Sequence, residues 1–80
     1  MELWVRSQDR KHLMKCEAIM YEETGTGYGL RTFTKNYDFN IATYKTRERA
    51  LEILDEIQKL LKTAELNNDI NTIFYQMPEK

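Results

Sequence analysis

The chain has 80 residues, with 12 basic and 13 acidic side chains, one cysteine and one histidine. A chain of this length forms one domain, residues 1–80, and it lacks both the second cysteine of a disulfide and a Cys/His set for structural zinc. The balanced charge argues against DNA, RNA or an anionic membrane as the partner, so any anion site must be local. Because neither form of stabilisation is available to a small core, we expect a homo-oligomer, a dimer or higher.

The sequence has no secretory signal pattern and no stretch near the roughly 18 apolar residues of a membrane span. The single unpaired thiol, Cys16, fits a reducing compartment. We therefore expect a cytoplasmic protein.

The first two strands are predicted from hydrophobic alternation. Leu3 and Val5 occupy alternate positions, and a second alternating run begins at Leu13 after a polar turn at residues 8–11. The two runs predict an antiparallel hairpin. The side of the second run that should face the core carries Met14, Cys16, Ala18 and Met20.

The middle of the chain predicts a turn and two further strands. All three glycines lie within residues 25–29, which is typical of a loop between strands. Leu30–Lys35 then reads as a third strand, residues 36–38 as a turn, and Phe39–Lys45 as a fourth strand.

From Thr46 the hydrophobic period changes to that of an amphipathic helix, with Thr46 as its cap. The apolar stripe consists of Ala50, Leu51, Ile53, Leu54, Ile57, Leu60, Leu61 and Ala64. Asn67, Asn68 and Asp69 should stop the helix, and Thr72–Gln76 reads as a last strand. The predicted fold is therefore α+β, an antiparallel sheet of four to five strands with the helix packed on one face, in the order β-β-β-β-α-β.

Two features near the glycines and the helix start could bind an anion. Backbone amides around Gly25 and Gly27 could cradle a phosphate, although the following strand also fits an ordinary hairpin loop. Arg47 and Arg49 lie in the first helical turn, where the helix dipole disfavours cations, so a bound phosphate would explain them. The alternative is that arginine is a good helix former and that neighbouring acids screen its charge.

The first strand offers a second candidate surface. Trp4, Arg6 and Gln8 project from one side, which suits base stacking and phosphate contacts. The alternative is a buried tryptophan with Arg6 paired to an acid. Tyr44 could also stack a base, although strand propensity alone would select it.

Enzyme chemistry is not expected. His12 has no recognisable nucleophile beside it, and Glu22 and Glu23, as strand neighbours, point to opposite faces and do not form a metal-binding pair. We predict no catalytic residues, no metal and no cofactor.

Three segments together resemble a known group of proteins. These are Trp4–Asp9, Tyr44–Thr46 with the following Glu48–Gln58, and Met77–Glu79, and they are similar to segments of small uncharacterised proteins of Gram-positive bacteria and their phages. The resemblance implies a phage or prophage accessory protein in the cytoplasm of a bacterial host. Several phage proteins of this size are oligomeric sponges that sequester the cyclic nucleotide signals of bacterial defence.

The resulting hypothesis is a homo-oligomer that binds a cyclic nucleotide or an ADP-ribose-type ligand without turning it over. The predicted ligand-binding residues are Trp4, Arg6, Gln8, Gly25, Gly27, Tyr44, Arg47 and Arg49. The alternative is an inhibitor or regulator that engages a host protein through an exposed strand edge and has no small-molecule ligand.

Overall fold

The computed structural model describes residues 2–33, 35–67 and 70–80. Within these residues the elements follow in the order β1 (Glu2–Arg6), β2 (Leu13–Cys16), β3 (Ile19–Thr24), β4 (Gly27–Phe33), β5 (Asp38–Tyr44), α1 (Arg47–Glu65) and β6 (Thr72–Gln76). The predicted α+β class and the packed helix are confirmed. Thr34 of the predicted third strand, and Asn68 and Asp69 of the predicted helix stop, lie outside the described residues.

The strands form two small sheets, so the prediction of one antiparallel sheet of four to five strands is wrong. The first sheet has the order β2-β1-β6, in which β1 pairs antiparallel with β2 but parallel with β6. The second sheet is the antiparallel meander β3-β4-β5. Alternation along a strand reports which face is buried, but it does not report which strand lies beside it.

The second predicted strand is broken into β2 and β3 by Glu17 and Ala18. Before the break Cys16 faces the core, whereas after it Ile19 packs against the core and Met20 is half exposed. The expectation that Ala18 and Met20 face the core is therefore wrong, because the break shifts the phase of the pleat.

The helix begins as predicted, because the Thr46 hydroxyl accepts a hydrogen bond from the Arg49 amide at 3.2 Å. Its buried side consists of Ala50, Ile53, Ile57 and Ala64. Leu60, a member of the predicted stripe, is 40 % exposed. The helix ends at Glu65. Just after its end, the Asn67 amide donates a hydrogen bond to the Ala64 carbonyl at 3.0 Å.

The core lies between the helix and the inner faces of both sheets. The helix contacts β3, β4 and β5 of the second sheet and β6 of the first. Val5, Leu30 and Ile53 are completely buried there, one from each sheet and one from the helix. The first sheet therefore has one face packed in the core and one face turned away from it.

Among the described residues, none form a helix with the length and hydrophobicity of a membrane span.

Candidate ligand-binding face

The outward side of the first sheet, which we call the outer face, brings two aromatic side chains together. In the strand register Trp4 lies opposite Lys15 of β2 on one side and opposite Phe74 of β6 on the other. Residues directly opposite each other share a face of the sheet, whereas Leu3 and Val5 point to the core. The complete outer face consists of Glu2, Trp4, Arg6, Leu13, Lys15, Thr72, Phe74 and Gln76.

This face is largely open to solvent despite its apolar content. Phe74 is 70 % exposed and Leu13 is 55 % exposed, while Trp4 is partly buried between its neighbours. Single exposed apolar residues are ordinary on a protein surface, but a tryptophan beside a phenylalanine on one sheet face is typical of an interaction surface.

Two cationic side chains, Lys15 and Arg6, lie on the same face as the aromatic pair, together with the carboxylate of Glu2. The Lys15 ammonium lies 3.2 Å from the Glu2 carboxylate, and the hydrogen bond and charge of Lys15 lower the pKa of Glu2. Arg6 is exposed, and its Nε donates to the Arg10 carbonyl at 3.1 Å. Both partners of the ion pair are about half exposed, so it contributes little stability.

A shallow groove of about 630 Å³ runs beside Trp4 along β2. Its walls include Lys11, His12, Lys15 and Tyr37, and the Tyr37 hydroxyl donates to the Lys15 carbonyl at 2.9 Å. The groove therefore places ammonium groups next to an aromatic surface, which is the combination that stacking on a base and contact with its phosphate require.

Gln8 does not belong to this face. Its side-chain oxygen accepts a hydrogen bond from the Thr43 amide and its side-chain nitrogen donates to the Glu79 carbonyl, each at 2.9 Å. Gln8 therefore joins the end of β1 to β5 and to the C-terminal residues.

The glycines form a hairpin between β3 and β4, with Thr24 opposite Gly27. A Cβ atom on Gly27 would lie 2.6 Å from the Tyr44 carbonyl oxygen, and one on Gly29 would lie 2.7 Å from the Asn40 side chain. Gly25, by contrast, is in open space. Close approach of β4 to β5 accounts for two of the three glycines without a ligand.

Tyr44 and Arg49 line a different groove, of about 290 Å³, beside the helix start, and Arg47 is not part of its lining. Arg49 donates to the Glu52 carboxylate at 2.6 Å and to the Lys80 carbonyl at 3.0 Å, so its guanidinium has partners within the chain. Tyr44 is 4 % exposed and its hydroxyl donates to the Pro78 carbonyl at 2.7 Å, which leaves no ring face for stacking. Arg47 is exposed on the first helical turn.

Sequence reasoning missed Phe74, Lys15 and Leu13. The signal for Phe74 was present, because it alternates with Ile73 and Tyr75 and shares the polar side of β6 with Thr72 and Gln76. Its position beside Trp4, however, follows from parallel pairing between the two ends of the chain.

Comparison of the chain with protein-family models, with curated proteins and with solved structures gives no match. Within the described residues, no group of three or more His, Cys, Asp or Glu side chains could hold a metal ion. Burial raises the pKa of the Cys16 thiol, which favours its unreactive neutral form. The candidate site is therefore defined by the geometry of the outer face.

Proposed function

We propose that the protein is a non-enzymatic binding protein whose outer face takes a nucleotide-type anion. The observation that carries the proposal is the partly buried Trp4 beside the exposed Phe74, with Lys15 and Arg6 on the same face. A base stacks on the aromatic pair, and the flanking cations contact its phosphates.

The energetics favour a small ligand over a nucleic-acid polymer. Stacking of one base on an aromatic side chain contributes about 1–3 kcal/mol, and phosphate contacts from arginine or lysine add charge-assisted hydrogen bonds. The formal net charge of −1 gives no long-range attraction for a polyanion, so binding depends on these local contacts.

We further propose the biological role that the sequence resemblance suggests. The protein acts as a phage or prophage accessory protein in the cytoplasm of a bacterial host, as a homo-oligomer, and sequesters a cyclic nucleotide or ADP-ribose-type defence signal. The support for this role is the resemblance of three sequence segments together with an aromatic and cationic face.

Trp4 is the single tryptophan of the chain, so its fluorescence reports directly on the outer face. We expect quenching by at least one of a panel of cyclic dinucleotides, cyclic trinucleotides and cyclic ADP-ribose isomers, with matching heat in calorimetry. Phe74→Ala should weaken binding by about 5- to 150-fold, the equivalent of one stacked base.

Phe33→Ala is the matched control, because Phe33 is an exposed aromatic residue on the second sheet, 42 % accessible. It should leave the affinity unchanged. Absence of quenching and heat across the whole panel, or equal losses in both variants, would contradict the proposal.

The alternative function is inhibition of a host protein. It is favoured by the 55 % exposure of Leu13 beside the aromatic pair, which suits a protein interface as well as a nucleotide. Arg6→Gln separates the two functions, since loss of one phosphate contact should abolish binding of a small anion but only weaken a wide protein interface. Arg47→Gln tests the contribution of the helix start in the same assay.

A further inference from the structure

We infer that β6 pairs antiparallel with β6 of a second copy, centred on Phe74, and that the two outer faces then form one platform for a ligand with two bases. The inference deepens the proposed function and depends on it for the ligand.

The N–H and C=O groups of alternate β6 residues point away from β1. Two hydrogen bonds lie at the ends of the parallel ladder between β1 and β6. The Glu2 amide donates to the Asn71 carbonyl at 2.8 Å, and the Met77 amide donates to the Arg6 carbonyl at 3.0 Å. In a parallel pair, alternate residues of a strand bond to the same neighbour. The backbone groups of Thr72, Phe74 and Gln76 therefore face outward at the edge of the sheet.

Two of the other strand edges in the described residues are covered by neighbouring segments. At β2 the Tyr37 hydroxyl donates to the Lys15 carbonyl. At β5 the Gln8 amide donates to the Ile41 carbonyl at 2.8 Å, and the Gln8 side chain accepts from the Thr43 amide.

The edge of β3 carries acidic side chains, whereas β6 carries no charged side chain, acidic or basic. Glu22 and Glu23 lie in β3; Glu22 is paired with Arg31 at 2.8 Å, and the exposed charge of Glu23 discourages pairing with another chain. β6 reads Thr-Ile-Phe-Tyr-Gln in a protein in which 31 % of residues are charged. An uncharged strand with an exposed central phenylalanine fits an edge that is paired in the working assembly.

The outward groups also define the register of the pairing. When Phe74 lies opposite Phe74 of the second copy, Thr72 lies opposite Gln76, and every outward N–H and C=O of these three residues has a partner. The opposed residues carry no charge, so no like charges meet across the seam. A register displaced by one residue would place outward groups opposite groups already bonded to β1.

This pairing places outer-face side chains of both copies in one continuous row across six strands. The row runs from Lys15 through Trp4 and Phe74 to Phe74, Trp4 and Lys15 of the second copy. At a strand spacing of about 4.8 Å, the two tryptophan backbones lie about 14 Å apart. The two halves are related by twofold symmetry, so the platform suits two nucleobases joined through phosphates, as in a cyclic dinucleotide. The second copy therefore supplies half of the aromatic rings in the platform.

A ligand that spans both copies must strengthen their association, because binding to the dimer shifts the equilibrium toward it. We expect sedimentation velocity to show a concentration-dependent dimer whose dissociation constant falls at least tenfold when a cyclic dinucleotide is added. Amide hydrogen exchange tests the edge directly. Phe74 and Gln76 should gain protection as the protein concentration rises, while Tyr75, bonded to β1, should be protected throughout.

Thr72→Pro removes one outward N–H at the first residue of β6 and leaves the aromatic residues in place. It should weaken dimerisation about tenfold, the effect of two lost hydrogen bonds, one from each copy. Thr72→Val keeps the N–H and the branched side chain, so it should dimerise like the parent. Circular dichroism establishes that each variant is folded, and the exchange measurement needs no variant.

The outcomes separate the two proposals. A dimer that protects Phe74 but binds no cyclic dinucleotide would overturn the proposed ligand and leave the pairing standing. A monomer that binds one of them, with the Phe74 and Gln76 amides unprotected at every concentration, would overturn the pairing and leave the proposed function standing.

Discussion

At the scale of single residues, one buried hydroxyl organises the turn that follows β1. Ser7 is 1 % exposed, and its hydroxyl donates to the Asp9 carboxylate at 2.5 Å while accepting from the His12 amide at 3.1 Å. Asp9 also accepts from the Lys11 amide at 3.0 Å. The hydrogen bonds from Ser7 and Lys11 lower the pKa of Asp9, because both favour its charged form. The turn aligns β1 with β2, and so it positions Trp4 beside Lys15.

Ser7→Ala should destabilise the protein by about 1–3 kcal/mol, because it removes the part-buried hydrogen bond to the His12 amide and the hydrogen bond to the Asp9 carboxylate. Urea denaturation followed by Trp4 fluorescence measures the change. Thr63→Ala is the control, since Thr63 is exposed and its hydroxyl donates only to the Lys59 carbonyl of its own helix. Equal destabilisation of the two variants would show that the Ser7 hydroxyl does not hold the turn.

At the scale of elements, β4 lies in the middle of the second sheet and needs glycine where β5 approaches it. The Cβ position of Gly27 is blocked by the backbone of Tyr44, whereas that of Gly29 meets the flexible Asn40 and Glu22 side chains. Backbone cannot move aside without breaking the ladder, and a side chain can. The two glycines therefore differ in how much they tolerate an added methyl group.

Gly27→Ala should cost about 1–3 kcal/mol of stability, the usual range for forcing an extra carbon into a packed site. Gly25→Ala, in open space at the hairpin, should change stability by no more than about 0.5 kcal/mol. Thermal unfolding of both variants tests the difference. If Gly25→Ala were the more damaging of the two, the glycines would be serving the loop conformation instead of the contact between strands.

At the scale of the whole molecule, the C-terminal residues hold β5 and the start of the helix together. Met77 is 1 % exposed, Tyr44 donates to Pro78, and Arg49 donates to Lys80. Burial raises the pKa of Tyr44 to about 12 and also raises the pKa of Tyr75, with the charge of Glu56 adding to the rise at both residues. These hydroxyls keep their protons in the folded chain at pH values where the unfolded chain has lost them.

Stability should therefore fall as the pH rises from about 10 to about 12, because the unfolded state loses its tyrosine protons first and is favoured by doing so. Tyr44→Phe should make this decline shallower. Melting temperatures measured across that range test the slope. Parallel slopes in the parent and in Tyr44→Phe would contradict the assignment to Tyr44.

Local pattern predicted the elements that depend on local energetics. The helix start, the Thr46 cap and β6 at Thr72–Gln76 follow from hydroxyl capping and from a period that neighbours in the chain create. The break at Glu17 and Ala18 did not stand out in the sequence, because both residues continue the alternation that the strands before and after them carry.

The candidate site residues also fall into two groups, those that local pattern predicts correctly and those whose partners lie far away in the chain. Trp4 and Arg6 were recognised from the alternation of β1, because the side chains of one strand share a face by local geometry alone. The sequence also predicts ligand contacts for Gln8, Tyr44 and Arg49, yet these side chains form hydrogen bonds to Thr43, Pro78 and Lys80, partners that distant parts of the chain supply.

The sequence by itself determined the class of fold, the helix and the aromatic and cationic side of β1, because each depends on spacing within a few residues. Tertiary structure alone decided that the strands form two sheets, that β6 runs parallel to β1, and that Phe74 lies beside Trp4. Those pairings join positions about 70 residues apart, where chain entropy and packing of the whole core select the neighbour and no local pattern encodes it.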